Sequence, residues 1–141
     1  MTSVKTPDPH VLVLFGRVFE QVRGTFAGEE WNGMRQSHLR LLDLVPDDGI
    51  SVTDLARRAG MSKQACGQFV THLVGTGHLR VESDPGDRRV RQVHRTPEGQ
   101  RTLAAAIAHI ARIEDTWAES VGSDRYRTFR AVLEELALNR R

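Results

Sequence analysis

From Ile50 to Gly99 the hydrophobic period of the chain changes from helical to alternating and back, and no other feature narrows the fold as far. In Ile50-Ser51-Val52-Thr53-Asp54-Leu55-Ala56, Ser51 stands three residues ahead of Asp54, a capping box with Asp in place of the usual Glu or Gln. The helix it starts is short, because Gly60 supplies a C-terminal stop. Ser62 then caps another helix, whose apolar side is Ala65, Cys66, Phe69, Val70 and Leu73 and whose exit is Gly75-Thr76-Gly77. From His78 the pattern alternates. Leu79 and Val81 precede Asp84-Pro85-Gly86-Asp87, and Val90 and Val93 follow it, which predicts two short strands joined by a Pro-Gly turn. Thr96-Pro97-Glu98 restarts helix, with Thr96 as N-cap, Pro97 at the first helical position and Glu98 near the positive end of the dipole. Two short helices around Ala59-Gly60-Met61 form a helix-turn-helix, and the hairpin behind them adds a β-wing.

Longer helices flank this unit. Val11, Leu12, Phe15, Val18, Phe19, Val22 and Phe26 predict a first helix ending near Gly28, with an apolar stripe wide enough for part of it to face a second subunit. Ser37 caps a second helix carrying Leu39, Leu41, Leu42, Leu44 and Val45, which the turn Pro46-Asp47-Asp48-Gly49 stops. After the wing, Leu103, Ala106, Ile107, Ile110, Ile113 and Trp117 lie on one helix. Gly122 and Ser123 break it, and Tyr126, Phe129, Val132, Leu133, Leu136 and Leu138 describe a last one. The 141 residues fit one domain.

The net charge of +2 argues only weakly for a polyanionic partner, but its distribution says more. Between Ser51 and Thr96 eight cations, Arg57, Arg58, Lys63, Arg80, Arg88, Arg89, Arg91 and Arg95, face four acids, a local surplus of +4. The rest of the chain carries a net charge of −2, so the basic region is where a nucleic-acid site belongs. Met1 to His10 lack the apolar core of a signal peptide and no run of apolar residues approaches a membrane span, so a soluble, cytoplasmic protein without membrane contact is expected. Cys66 is the sole cysteine, and the six histidines contain no i,i+4 pair, so no metal is expected. Gly-x-Ser-x-Gly, the phosphate-cradling glycine loop and the dinucleotide fingerprint are all missing, and neither an enzyme nor a cofactor is expected.

The second helix of a helix-turn-helix enters the major groove N-terminus first, so the candidate base-reading residues are Ser62, Lys63, Gln64, Ala65, Gly67, Gln68 and Thr71. Gln64 and Gln68 are one turn apart, and a glutamine pairs with adenine through two hydrogen bonds, discriminating by about 1–3 kcal/mol. Gly67 costs about 1 kcal/mol of helix propensity relative to Ala. Two readings explain it: close approach to DNA, or a crowded helix crossing. At the hairpin tip Asp87, Arg88, Arg89 and Arg91 form the second candidate group, since an Arg at a wing tip can enter a narrow, electronegative minor groove.

The run from Asp84 to Gly99 resembles the wing of the MarR family, whose pattern is Asp-x-Arg, a strand, then Leu-Thr-x-x-Gly. Asp87, Arg89, Thr96 and Gly99 match, while Arg95 stands where Leu is more usual. Val52 to Ala56, Met61 to Ala65, Leu73 and Gly77 also match, so the specific resemblance covers roughly residues 38–100, and the flanking helices agree only in length and pattern. It implies a mainly α fold with a small β-wing: a winged helix-turn-helix core over 37–99, flanked by N- and C-terminal dimerisation helices over 8–35 and 100–139. It implies further that Asp87 positions Arg89 for the minor groove, and that a homodimer acts as a transcriptional repressor on a pseudo-palindromic double-stranded DNA operator. Trp31, Met34 and His38 lie where many such proteins have a small-molecule pocket, which implies a small aromatic or phenolic effector.

Plainer readings stand beside these. Trp31 and Met34 can equally close the core, Asp87-Arg88-Arg89 can be a solvated turn, and Cys66, on the inner face of its helix, reads better as a small core residue than as a redox sensor. The competing function is a winged-helix module that docks on an acidic protein partner and binds no operator.

Overall fold

Among the described residues nine elements follow one another: α1 (Val11–Thr25), α2 (Gln36–Leu44), β1 (Ile50–Ser51), α3 (Val52–Ala59), α4 (Lys63–Gly75), β2 (Leu79–Asp84), β3 (Asp87–Arg95), α5 (Pro97–Val121) and α6 (Ser123–Leu138). The computed structural model describes residues 8–26 and 34–139, the Arg88 side chain excepted. The caps explain most of the boundaries. The Ser51 hydroxyl accepts the Asp54 amide at 3.1 Å, Ser62 accepts that of Ala65 at 3.1 Å, and Thr96 accepts that of Gly99 at 3.0 Å. Each side-chain oxygen satisfies one of the amides that a first helical turn leaves unpaired. Gly60 ends α3 in the left-handed region at φ 66°, which a side chain rarely adopts.

Two boundaries differ from the sequence reading. α1 ends at Thr25 with Phe26 as its C-cap, ahead of the expected stop near Gly28. Ser37 is not the cap of α2 but lies inside it, and Arg35 is the N-cap. His38, three residues in, reaches back so that its Nδ1 accepts the Arg35 backbone N–H at 3.0 Å, the reciprocal half of a capping box supplied by an imidazole.

The hairpin pairs Leu79 with Arg95 through Ser83 with Arg91, and Asp84 with Asp87 across the Pro85-Gly86 turn. The register shifts between Ser83 and Asp84, so Arg88, Arg89 and Val90 form an excess on β3, and this bulge turns the tip. β1, too short to show an alternation in the sequence, pairs Ile50 with Val93 and Ser51 with Gln92, giving the antiparallel order β1-β3-β2.

Leu42, Val45, Leu55, Cys66, Leu73, Leu79 and Val93 are each under 2% exposed, so the core lies inside the winged helix, with Leu103 and Ala106 of α5 closing it. Burying such an aliphatic side chain contributes about 1.5–3 kcal/mol. α1 and α6 use little of that contribution: Val22 packs partly buried against the core, but neither helix fully buries a residue, and Leu12, Phe19, Leu136 and Leu138 are all more than half exposed. α6 is held to α5 by the Tyr126 hydroxyl, which donates to Glu114 at 2.6 Å, and by Arg130, which pairs with the same carboxylate. No helix among the described residues is long and apolar enough to cross a membrane.

Arg95 departs from its expected place on the basic face. Its side chain is only 10% exposed and turns inward. Its guanidinium donates to the Leu42 carbonyl at 3.0 Å and to the Val45 carbonyl, its Nε donates to Gln100 Oε1 at 2.7 Å, and it pairs with Asp47. A cation at the negative end of α2 takes up the Val45 carbonyl and shares that of Leu42 with the Val45 amide. The surface surplus is smaller by this one charge.

Candidate nucleic-acid interface

α3 and α4, joined through Gly60, hold the outer face of α4 opposite the wing, and a groove of about 1100 Å³ runs between them. Lys63, Gln64, Gly67, Gln68 and Thr71 line one side, and Arg89 and Arg91 the other. These seven residues from two separate candidate groups therefore share one concave surface. Lys63, Gln64, Gln68, Arg89 and Arg91 are exposed, and among the described residues none of their side chains has an ion-pair or hydrogen-bond partner. The Thr71 hydroxyl donates its proton to the Gly67 carbonyl at 2.9 Å, so it can only accept from a further partner.

The other candidates take different positions. Ser62 is spent on capping α4, Ala65 is half-buried, and neither lines the groove. Asp87 is exposed, and its Oδ1 accepts the Arg89 backbone N–H at 3.0 Å, so it shapes the bulge through the main chain rather than by holding the guanidinium. Arg88 lies on β3, with its side chain outside the described set. A Cβ added to Gly67 would meet nothing within 4 Å. The crowded-crossing explanation of this glycine therefore fails within the chain, and the space before it is open.

The sequence reading missed the start of α3. Ser51, Val52, Thr53 and Asp54 also line the groove, so the start of that helix belongs to the same surface. The Ser51 cap located this helix start, and β1 pairing with β3 carries it beside the wing.

Of the three candidate ligand-pocket residues, the structure describes Met34 and His38. Trp31 lies outside the described residues. Met34 is 3% exposed and belongs to the core. His38 is half-buried and faces α4, its ring 4.6 Å from that of His72 and 21° from parallel, and 5.4 Å from Phe69. Burial first, then His72 and Arg35, push its pKa below the ordinary imidazole value. Cys66 is fully buried, and burial pushes its thiol up, away from the reactive thiolate. No group of three or more His, Cys, Asp or Glu among the described residues can hold a metal.

Residues 32–90 match the model of the MarR family. No curated protein matches the chain. Among solved structures, the crystal structure of MarR is similar at a TM-score of 0.81 and 22% identity, over 96% of this chain and 93% of that one. The MepR–DNA complex of S. aureus gives 0.76 at 14% identity, over 92% and 98%. The PcaV transcriptional regulator of Streptomyces coelicolor, in complex with its natural ligand, gives 0.69 at 21% identity, over 97% and 96%. At these identities the likeness is one of fold.

Proposed function

For a chain whose winged-helix segment matches the MarR family and whose fold is that family's throughout, we propose a homodimeric, sequence-specific DNA-binding transcriptional repressor acting in the cytoplasm. The observation that carries this reading is the shared groove: Lys63, Gln64 and Gln68 on α4 and two wing arginines, all without a side-chain partner among the described residues, flank the same open space. α4 enters the major groove, where Gln64 and Gln68 read base edges and Lys63 neutralises a phosphate. The missing side chain at Gly67 lets the DNA backbone approach. Arg89, carried outward by the bulge, reaches the adjacent minor groove. Seven groove residues are thus assigned to DNA, with Ser62, Ala65 and Asp87 supporting them and Arg88 beside them on the wing.

The exposed apolar faces of α1 and α6 support the dimer, with residues 8–35 and 100–139 as its dimerisation helices and 37–99 as the DNA-binding core. Two-fold symmetry sets two recognition helices about 34 Å apart, one turn of DNA, so the operator is pseudo-palindromic. DNA in the MepR structure and a natural ligand in the PcaV structure support operator binding and a small-molecule effector, respectively, and the resemblance noted in the sequence makes that effector small and aromatic or phenolic. An effector acts by favouring one spacing of the two α4 helices over another.

Fluorescence anisotropy tests this, using duplexes from the gene's own upstream region and scrambled controls at two salt concentrations. Tight binding that prefers the upstream duplex, weakens with salt and drops in Arg89→Ala is the expected result. Absence of salt-dependent binding to any duplex would overturn it in favour of docking on an acidic protein partner.

A further inference from the structure

Arg95 closes β3 at the foot of the wing, and its guanidinium fork reaches three elements at once. One arm takes the Leu42 and Val45 carbonyls at the end of α2, another pairs with Asp47 in the following turn, and Nε donates to Gln100 in the first turns of α5. The neighbouring residue grips the same turn. Gly49, at φ 88°, lies so close to the His94 ring that a Cβ there would overlap it. Next to this foot, Val93 is buried in the core and β3 pairs with β1 at Gln92 and Val93. Past Gln92 the hairpin pairs only with itself, so the direction of its tip depends on how this base is fixed.

We propose that Arg95 is a positioning residue for DNA binding: it locks the base of β3 to α2 and α5, and so sets where Arg89 stands relative to the recognition helix. The inference rests on the DNA-binding reading above. The fork geometry is what the role requires. Five N–H donors in one rigid plane span α2, the turn and α5 together, whereas a lysine ammonium is a compact point charge that satisfies one of these directions at a time. Because the guanidinium is nearly buried and its donors are committed, its charge is not offered to phosphate. Charge and position are therefore separable by experiment.

The test is a double-mutant cycle in upstream-duplex affinity, combining Arg89→Ala with Arg95→Lys and with Arg95→Leu, each variant checked by circular dichroism to be folded at the assay temperature. In the Arg95 background Arg89→Ala is expected to cost about tenfold in Kd, the loss typical of one specific contact. In either Arg95 variant the same substitution is expected to cost less than about threefold, because the arginine no longer reaches its groove and the two effects are not additive. Equal fold-losses in all backgrounds overturn the inference and leave the DNA-binding reading intact. So does full recovery of the Arg89 contribution by Arg95→Lys, which would make charge alone the cause. A wild type that binds no duplex removes both. If the two Arg95 variants do not fold, Gln100→Ala, which frees only the α5 arm, carries the same cycle with a smaller fall in the Arg89 contribution.

Discussion

His38 of α2 and His72 of α4 lie face to face, their rings 4.6 Å apart and 21° from parallel. The pair joins the helix that begins the core to the helix assigned to the major groove. The arrangement suits an uncharged His38 ring. The Nδ1 lone pair of His38 is engaged by the Arg35 N–H, and a proton on that nitrogen would set donor against donor beside Arg35 and His72.

The pH dependence of stability follows from this. Burial, His72 and Arg35 hold the folded pKa of His38 below its ordinary value of 6.5. As pH falls below that value, the unfolded chain binds a proton that the folded chain does not, so this contribution is complete above 6.5 and is lost as pH descends toward the folded pKa. His38→Gln keeps an acceptor for the Arg35 amide and cannot titrate. Urea midpoints measured between about pH 7.5 and 5 are expected to fall more steeply in wild type than in His38→Gln. Parallel profiles would show that the histidine does not titrate on unfolding.

Gly99→Ala tests the seam between wing and α5. A Cβ at this position would overlap the carbonyl of His78, a backbone group that cannot swing aside. His78 is itself fixed, 2% exposed and bonded through its two ring nitrogens to Thr76 at 2.7 Å and Thr102 at 3.1 Å. The single methyl group is therefore expected to cost about 1–3 kcal/mol, as overpacking does, despite alanine's better helix propensity. A denaturation midpoint at or above that of wild type would contradict the close approach.

The sequence made the helix-turn-helix and the wing legible because caps and turns are local chemistry: Ser51, Gly60, Ser62, Pro85-Gly86 and Thr96 each announce a boundary within three residues. What stayed hidden depends on distant partners. Arg95 reads as one more surface cation until Leu42 and Val45, some fifty residues away, are brought to it. His38 could be placed between two helices, but its stacking on His72 needs α2 and α4 to cross. Ser37 misled because serine is the commoner cap, while the reaching imidazole one residue later selected Arg35.

Leu136→Asp tests the subunit contact. Leu136 is 66% exposed in the single chain, where an aspartate would change stability little. Across a two-fold interface it would bury a charge without a partner. Sedimentation is expected to give wild type a mass about twice that of the 15.8 kDa chain and the variant a mass shifted to one chain at micromolar concentration. A wild-type monomer would count against the dimer, and a variant that remains dimeric would place the contact elsewhere.

Gly67→Ala separates folding from recognition because its two expected effects have opposite signs. Gly67 lies inside α4, and an added Cβ would meet nothing within 4 Å, so the substitution brings no clash within the chain. Alanine's propensity is then expected to stabilise the protein by about 1 kcal/mol, read as a higher urea midpoint. The same methyl group would point into the groove that Gln64, Gln68 and Arg89 share, where DNA is expected to come close. Affinity for the upstream duplex should fall about tenfold, the loss of one good contact, while the midpoint rises. A substitution that stabilises the protein and leaves affinity unchanged would mean that the backbone of α4 does not approach DNA at this turn, and the glycine would then have no explanation in packing or in recognition.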